Sequence, residues 1–457
     1  MGQLQTPVLA AAPGSAAEFA ARVASVLKAH GHHGLLVGGC VRDLLLGLNP
    51  KDFDVVTDAR PEQVQALFPN SGLVGAHFGV VLVRSGGHQV EVATFRSDHA
   101  YADGRRPTGV SFETDPRQDA LRRDFTVNAL MLDPETNELL DFVGGREDLE
   151  HGIVRAIGDP EARFAEDHLR MLRAVRFAAR FEFEIEPGTL HAIQRLHASI
   201  RRVSAERIRD ELVRILTEGR ARRGFELLDE TGLLSEILPE VAAMKGVEQP
   251  PQYHPEGDVW THTLMMIGDL PPNPPPTLAL GVLLHDVGKP PTFRVADRIR
   301  FDGHVDKGVA MAREILSRLR FSSGQIDQVE ALVANHMRFK DVPRMRPSTL
   351  KRFLRMRRFE DHLELHRLDC LSSNRRLETY EYVKSRREEL GEDELRPDPL
   401  ITGEDLIAAG FEPGPEFRKI LAAVEDAQLE GRVRTREEAM HMVLGRFQPQ
   451  GRNTKTM

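Results

Sequence analysis

The sequence has few cysteines and few aromatic residues. Its 457 residues include two cysteines, one tryptophan and four tyrosines, and aromatic residues make up 6% of the chain. Cys40 and Cys370 cannot build a disulfide framework, and they do not form a Cys-x-x-Cys metal-binding pattern. We therefore expect a protein of a reducing compartment, the cytoplasm.

Long apolar runs and an excess of positive charge are also missing. No segment approaches the roughly 18 apolar residues that would cross a membrane, and the N-terminus lacks the pattern of a signal peptide. The net charge of −8 excludes binding of nucleic acid through global charge, so that any such contact must use local basic surfaces. A chain of this length exceeds one ordinary hydrophobic core and predicts several domains.

The pattern of apolar residues divides the chain into an α/β part and a helical part. Short β-branched runs separated by turns predict a mixed sheet between about residues 35 and 143; they are Phe53–Thr57, Val80–Arg84 and Val90–Phe95. From about residue 160 the periodicity becomes helical, and the clearest segments are Ala165–Arg180, Ala205–Glu218 and Ala221–Glu230.

Two acidic residues stand at the start of one predicted strand. Side chains alternate along a strand, so Asp52 and Asp54 project to the same side. Paired carboxylates are oxygen-only ligands that suit Mg²⁺, and two such ions can hold the attacking and leaving oxygens of an in-line displacement. The pair indicates phosphoryl transfer, although an isolated Asp-x-Asp is more often a solvated strand end.

A glycine turn precedes this pair by about ten residues. Gly-Gly-Cys-Val-Arg-Asp at residues 38–43 follows an apolar run and precedes three leucines, which is the order strand, tight turn and helix. Such a turn at Gly39 lets backbone N–H groups approach a phosphate while the helix N-terminus and Arg42 add positive charge. Together with Leu-Leu-Gly and Asp-x-Asp, this string resembles the class II tRNA nucleotidyltransferase and bacterial poly(A) polymerase family.

Further motifs follow in the order of that family. The resemblance implies that Glu91 activates the primer hydroxyl or holds a metal, and that Arg123, in Arg-Arg-Asp-Phe-Thr, contacts the incoming nucleotide. Arg105 and Arg106 stand where the family has a flexible loop that helps the shift from adding C to adding A. The alternative for Glu91 is a partly exposed strand glutamate without a catalytic role, and the alternative for the loop is an ordinary solvated turn.

The predicted helix over 165–180 carries Asp167 and Arg170 three residues apart, hence on one face. Cytosine and adenine each present an amino donor beside a ring-nitrogen acceptor, whereas uracil and guanine present a carbonyl beside a ring N–H. A carboxylate beside a guanidinium selects C and A without a template, because mismatched bases leave buried polar groups unpaired; the alternative is a weak surface ion pair. The segment resembles the family's Glu-Asp-x-x-Arg motif, which implies nucleotide contacts by Glu166, Asp167, Arg170, Arg173 and Arg176.

A second set of candidate ligands lies in the helical part. Imidazole and carboxylate together suit a transition metal or Mg²⁺. Leu-Leu-His-Asp-Val-Gly-Lys, with Trp-Thr-His upstream, resembles the HD phosphohydrolase family, which implies phosphoester cleavage with a divalent metal of unspecified identity. In many bacterial CCA-adding enzymes such a centre is linked to phosphatase and 2′,3′-cyclic phosphodiesterase activities. The implied ligands are His262, His285, Asp286, His304, His336 and Asp369.

Arginines are concentrated in two stretches of the helical part. We expect these basic faces to hold an A-form RNA stem through its phosphates and 2′-hydroxyls, and the alternative is an ordinary solvated face. The residues are the arginines at 201, 202, 207, 209, 214, 220, 222 and 223 and those between Arg338 and Arg358.

The predicted fold is α+β: a polymerase-β-like nucleotidyltransferase head with a mixed sheet, then an all-α neck and body and an α-helical HD domain. The predicted boundaries are a helical lead-in over 1–30, the catalytic head over 31–160, the neck and body over 161–245, the HD domain over 246–395 and a helical tail over 396–457.

The resemblance implies a Mg²⁺-dependent nucleotidyltransferase that adds CCA to tRNA 3′ ends from CTP and ATP. A poly(A) polymerase, or a partial enzyme that adds only CC or only A, shares these motifs; the loop with Arg105 and Arg106 weighs against CC-only addition. A guanosine tetraphosphate synthetase/hydrolase also joins nucleotide transfer to an HD centre, but its HD centre usually comes first in the chain, whereas here it comes second. An RNA-binding regulator with an inactive head would have lost carboxylates, whereas Asp52 and Asp54 are both present.

Overall fold

The computed structural model describes Leu4, Leu9 and residues 12–74, 79–99 and 108–448. The described residues form two compact units. One is drawn from Met1–Lys245, Leu270–Ala279 and Glu314–Ser322, and the other from Gly246–Asp269, Leu280–Arg313 and Ser323–Met457. In the part of the chain so described, no helix combines the length and the apolarity needed to traverse a lipid bilayer.

The head contains a seven-stranded mixed sheet, as predicted. Its order is β3-β4-β5-β2-β1-β8-β9, with β2 and β5 parallel and the other neighbours antiparallel. Strands β6 and β7 form a separate hairpin, and β10 pairs with β11. The strands are β1 (Leu35–Val37), β2 (Asp54–Thr57), β3 (Ser71–Leu73), β4 (Val80–Ser85), β5 (His88–Thr94), β6 (Arg96–Asp98), β7 (Val110–Phe112), β8 (Met131–Leu132), β9 (Leu139–Leu140), β10 (Ile153–Val154) and β11 (Glu184–Ile185).

Helices cover the sheet and continue beyond it to residue 242. One core lies against the sheet, where Val37, Val56, Phe95 and Met131 pack together, fully or almost fully buried. The helices are α1 (Ala16–Ala29), α2 (Gly39–Leu45), α3 (Pro61–Leu67), α4 (Pro116–Leu121), α5 (Gly145–His151), α6 (Pro160–Glu166), α7 (Leu169–Phe181), α8 (Pro187–Leu196), α9 (Ala205–Thr217), α10 (Ala221–Glu230), α11 (Leu233–Ile237) and α12 (Pro239–Ala242), with 3-10 turns at Thr126–Asn128 and His197–Arg202.

The prediction of a single helix over residues 165–180 was wrong at the start of that segment. Helix α6 ends at Glu166, Asp167 is extended with φ −145° and ψ 103°, and α7 begins at Leu169. The Asp167 carboxylate accepts the N–H of Leu169 at 3.1 Å, a local bond that competes with continuous helix. Asp167 and Arg170 therefore do not share a helical face.

After residue 245 the chain is almost entirely helical. Helix α14 is apolar on all sides, as expected for a buried helix. The elements are α13 (Val259–Gly268), α14 (Pro276–Leu284), α15 (Lys289–Thr292), β12 (Arg294–Val295), β13 (Ile299–Arg300), α16 (His304–Arg318), α17 (Ser323–Asn335), a 3-10 helix (His336–Arg344), α18 (Pro347–Leu354), α19 (Phe359–Ser372), α20 (Glu378–Glu389), α21 (Glu392–Leu395), α22 (Gly403–Ala408), α23 (Pro415–Leu429) and α24 (Arg436–Arg446).

Candidate functional site

Three carboxylates gather around the start of β2, in the middle of the head sheet. Asp54 begins β2 and is the register partner of Glu91 on the parallel strand β5, so both side chains lie side by side on one face. Asp52 lies just before the strand. Desolvation and the nearby Glu91 and Asp52 carboxylates raise the pKa of Asp54 to about 6. This oxygen-only, mutually repelling set fits a divalent cation.

The glycine turn lies between two guanidinium groups. Gly38 has φ +76°, a conformation that favours glycine, and Gly39 is the first residue of α2. A Cβ atom at Gly38 would come within 3.3 Å of Arg123 Nη1, and one at Gly39 within 3.6 Å of Arg42 Nη2. The missing side chains keep the backbone open beside both positive charges.

The two arginines are held differently. Arg42 is only 4% exposed; it donates to Asp43 and, at 2.5 Å, to Asn128 Oδ1, and burial lowers its pKa. Arg123 donates from Nε and Nη2 to a single oxygen, Oδ2, of the buried Asp119, at 3.2 and 2.9 Å, and keeps part of its side chain in solvent. Arg42 is thus fixed under the turn, whereas Arg123 is accessible.

The two residues predicted to choose the base bind separate partners. Arg207 holds Asp167 through two hydrogen bonds of 3.1 and 2.7 Å. Arg170 donates to Glu166 Oε2 at 2.5 Å and to the carbonyl of Arg163 at 2.9 Å. The structure therefore places a fixed acceptor and a fixed donor three residues apart without pairing them.

Arg173 and Arg176 connect α7 to neighbouring elements. Arg173 pairs with Asp124, and although burial opposes the effect, Arg173 lowers the pKa of Asp124 to about 2. Arg176 donates to Glu211 at 2.6 Å. Both guanidinium groups are paired inside the protein. Arg105 and Arg106 lie outside the described residues.

Three histidines of the second centre share one arrangement. The Nδ1 atoms of His285, His304 and His336 lie 2.8, 2.9 and 2.7 Å from backbone carbonyls, which can only accept, so each Nδ1 carries the proton. Their Nε2 atoms are buried and face Asp286: that of His285 lies 3.1 Å from Oδ2, and those of His304 and His336 have no hydrogen-bond partner. Buried imidazole nitrogens grouped around a carboxylate in this way fit metal coordination.

The carboxylates complete this centre. Asp286 Oδ1 lies 3.8 Å from the Nε2 atoms of both His304 and His336, and Asp369 Oδ1 lies 3.3 Å from His262 Nε2. The structure thus brings all six predicted ligands together, in two groups of three whose ligand atoms lie within 4.8 Å of one another. These groups are His262, His285 and Asp369, and Asp286, His304 and His336.

The surrounding charges set the protonation of this centre. Burial lowers the pKa of His336 to about 4. Burial also disfavours protonation of His262, but Asp369 and Glu256 outweigh it and raise its pKa to about 9. The pKa of Asp286 lies well below its usual range because His285 and Lys289 more than offset its desolvation. In the metal-free centre these carboxylates favour the protonated form of His262.

Comparison with known protein families finds three matches along the chain. Residues 35–155 match the poly A polymerase head domain, residues 182–245 match the probable RNA and SrmB-binding site of polymerase A, and residues 258–369 match the HD domain. A CC-adding tRNA nucleotidyltransferase of Thermus thermophilus is 35% identical over 423 residues, which cover 89% of this chain and 92% of that protein. The chain belongs to the tRNA nucleotidyltransferase and poly(A) polymerase family.

Other relatives match mainly the first half. A CCA-adding enzyme of Lactobacillus helveticus is 42% identical over 50% of this chain and 56% of its own length, and poly(A) polymerase I of Haemophilus influenzae is 39% identical over 49% and 52%. With these relatives the chain spans about half their length. The Bacillus stearothermophilus CCA-adding enzyme in complex with CTP superposes with a TM-score of 0.71 and 27% identity, covering 95% of this chain and 99% of that one.

The sequence motifs predicted the candidate site residues, but not the residues that orient them. Sequence reasoning gave no positioning role to Asp119, Asn128 or Arg207. Asn128 and Arg207 bind residues 86 and 40 positions away, whereas the Arg123 partner of Asp119 is only four residues away. Sequence reasoning also missed Glu256, although His-Pro-Glu stands shortly before the Trp-Thr-His that was recognised.

The first arginine-rich stretch is less basic than its composition indicates. Seven of its eight arginines pair with a carboxylate. Arg207 and Arg220, for example, pair with Asp167 and Glu182. The expectation that this stretch holds an RNA stem stays a prediction, and it agrees with the match of residues 182–245 to the probable RNA and SrmB-binding site of polymerase A.

Proposed function

We propose that the chain adds C and A to the 3′ ends of tRNA from CTP and ATP, in the cytoplasm. The observation that carries this proposal is the pairing in register of Asp54 with Glu91, with Asp52 adjacent, in a head that also holds the Gly38–Gly39 turn. The CCA-adding enzymes among the relatives and structural neighbours support it.

Asp52 and Asp54 would hold Mg²⁺, with Glu91 beside them. When bound, the metal would supply positive charge that lowers the pKa of the primer 3′-hydroxyl and stabilises the departing pyrophosphate. Arg123 would bind the triphosphate at the accessible side of the turn, and Arg42, fixed beneath it, would keep the turn open and positive.

Base choice would rest on Asp167 and Arg170. Asp167 accepts the amino group and Arg170 donates to the ring nitrogen, as both C and A require. Arg207 and Glu166 hold these two side chains in fixed orientations before the base arrives, so little ordering remains to be done on binding.

Addition of CC alone is the second candidate. It is favoured by the Thermus thermophilus relative, a CC-adding tRNA nucleotidyltransferase that matches nearly the whole chain. Arg105 and Arg106 weigh against it. Both candidate activities use the same carboxylates, so substituting a carboxylate does not distinguish them. The sequence added to the tRNA end does.

The deciding experiment supplies purified protein and Mg²⁺ with tRNAs that end before the first C, after C and after CC. Each labelled nucleotide is offered alone, and CTP and ATP are offered together. Ordered products that stop at CCA, and their loss in Asp52→Ala, support the proposal. Products that stop at CC support the second candidate, and long A tails contradict both.

We further propose that the HD centre hydrolyses phosphoesters at RNA 3′ ends. The buried, unpaired Nε2 atoms support this. Metals bound there would activate water. A water oxygen bonds to phosphorus, the phosphorus–oxygen bond to ribose breaks, and the ribose oxygen takes up a proton. A free hydroxyl, which nucleotide addition requires, and inorganic phosphate result.

A further inference from the structure

The HD centre opens into a cavity much larger than a metal site requires. Its volume is about 660 Å³, within the range of small-molecule sites. The ligands His285, Asp286 and Asp369 form only part of its wall. The remaining lining comes mainly from four places: the segment before α13, the β12–β13 hairpin with the residues after it, the 3-10 helix over His336–Arg344, and the C-terminal end of α19 with the residues after it.

This outer wall carries positive charge from separate elements. Arg298 and Arg300 come from the hairpin, and Lys340 comes from the 3-10 helix. Arg300 is paired with Asp297. Among the described residues, Arg298 and Lys340 have no ion pair or hydrogen bond to their side chains, and both are exposed. Two uncompensated cations at one cavity fit phosphates better than a neutral ligand.

The same wall exposes apolar surface. Tyr253 is 55% exposed and Met337 is 36% exposed, and both line the cavity. A tyrosine ring held open beside cations is the combination by which proteins bind single-stranded nucleic acid, with bases stacked on the ring and phosphates on the cations. The acidic side chains in the lining are Asp286, Asp302 and Asp369, and two of these are candidate metal ligands.

We propose that this outer wall binds the nucleotides that precede the terminal phosphate of a single-stranded RNA end. A base stacks on Tyr253, and backbone phosphates contact Arg298 and Lys340. The HD centre then hydrolyses 3′-phosphorylated oligonucleotides more efficiently than mononucleotides. The inference rests on the proposed hydrolysis at this centre and names its substrate more narrowly.

The first test compares kcat/KM for phosphate release from a 3′-phosphorylated RNA trinucleotide and from 3′-CMP, using full-length protein loaded in turn with Mg²⁺, Mn²⁺, Co²⁺ and Ni²⁺. We expect at least about tenfold preference for the trinucleotide. Tyr253→Ala should lower the preference at least about fivefold. The double variant Arg298→Ala/Lys340→Ala should also lower it, and should reduce the slope of log preference against log salt by about 1.4, since two phosphate contacts are lost.

Matched controls exist in the same unit. Tyr382 is exposed on α20, and Lys384 and Arg418 are exposed without an ion pair to a described residue. Tyr382→Ala and Lys384→Ala/Arg418→Ala should leave the preference unchanged. Equal kcat/KM values for the two substrates, or equal effects of control and test variants, would overturn the inference while the hydrolysis stands.

A second readout does not depend on turnover. A trinucleotide carrying 4-thiouridine is cross-linked by light to metal-free protein, and the attached peptides are identified by mass spectrometry. Cross-links in the peptide with Tyr253 that are lost in Arg298→Ala/Lys340→Ala support RNA binding by the outer wall. This conclusion holds even if no metal gives hydrolysis, because missing hydrolysis would contradict only the proposed activity. Cross-links confined to residues 1–245 overturn the inference.

Discussion

Glu256 shows how one side chain can organise the HD centre without being part of the predicted set. Its Oε1 atom accepts hydrogen bonds from Nδ1 of His262 at 2.6 Å and of His254 at 2.9 Å. This contact fixes the plane of the His262 ring and leaves its Nε2 facing Asp369, where the proposed metal would bind. A carboxylate in this position also increases the basicity of the imidazole.

Glu256→Gln should weaken metal binding by roughly 10- to 100-fold, because the charge behind His262 is lost. Isothermal titration of the full chain with Mn²⁺ and Co²⁺ measures the change. Glu381→Gln, on the exposed surface of α20, is the control and should bind as the parent does. An unchanged affinity in Glu256→Gln would show that Glu256 does not orient the ligand.

Asp54 is a group whose charge disfavours the metal-free fold. Because the pKa of Asp54 is raised from 3.8 to about 6 on folding, the folded state binds the carboxyl proton more tightly than the unfolded state. The free energy of unfolding therefore falls as the pH rises from 3.8 to about 6. Asp54→Asn should therefore abolish nucleotide addition without lowering the metal-free thermal midpoint at pH 8. Calorimetry at pH 5 and pH 8 checks this; a lower midpoint for the variant at pH 8 would contradict it.

At the scale of elements, the periodicity of apolar residues predicted those helices whose limits are determined by the local sequence. Helix α10 lies at Ala221–Glu230 as predicted, and α9 ends one residue before the prediction. The break before α7 was missed because it depends on Asp167, which accepts a backbone N–H locally and is held by Arg207, 40 residues away. An aspartate inside an apolar helical pattern was the available signal.

Arg207 of α9 should control base selection through Asp167. In Arg207→Ala the Asp167 carboxylate loses both hydrogen bonds from Arg207 and keeps only the local one from the N–H of Leu169, so it is held less firmly. We therefore expect incorporation of UTP and GTP relative to CTP and ATP to rise at least about tenfold. Single-nucleotide addition to tRNA ending before the first C measures it. Arg214→Ala is the control and should not change the ratio. It removes another arginine of α9, which is exposed and makes only a long ion pair of 3.7 Å with Glu211.

Gly288 allows the segment after the His-Asp doublet to pack against α16. A Cβ atom there would lie 2.1 Å from the carbonyl oxygen of His304 and 2.6 Å from the N atom of Gly308. Gly288→Ala should displace His304 and lower metal affinity in the HD centre at least about tenfold. Titration with Co²⁺ monitors this. Gly324, with open space around it, supplies the control Gly324→Ala.

At the scale of the whole molecule, motifs predicted the order of head, helical region and HD centre, and the family matches agree with that order. Three features remained beyond prediction. These are the cavity beside the HD centre, the pairing of the arginines, and the separation of the six ligands into two groups. Each depends on side chains from several elements, whose relative positions are set by packing rather than by spacing in the sequence.

The two centres should respond differently to removal of metal. A nitrogen-donor chelator such as 1,10-phenanthroline prefers transition metals, which suit imidazole ligands, over Mg²⁺, which suits carboxylates. With excess Mg²⁺ present, the chelator should abolish phosphate release and leave nucleotide addition unchanged. Both activities are assayed in one sample; equal loss of both would contradict separate metal preferences.

The contrast between an all-carboxylate centre and a histidine-rich centre also has a consequence for the cell. Magnesium is abundant and rarely limiting, whereas the supply of transition metals varies with growth conditions. With the two activities proposed above and a transition metal in the HD centre, this one polypeptide would, during transition-metal starvation, keep extending tRNA ends that carry a free 3′-hydroxyl but stop clearing phosphate-blocked ones. Damaged tRNAs would then accumulate, and the balance between repair and synthesis would follow the nutritional state of the organism.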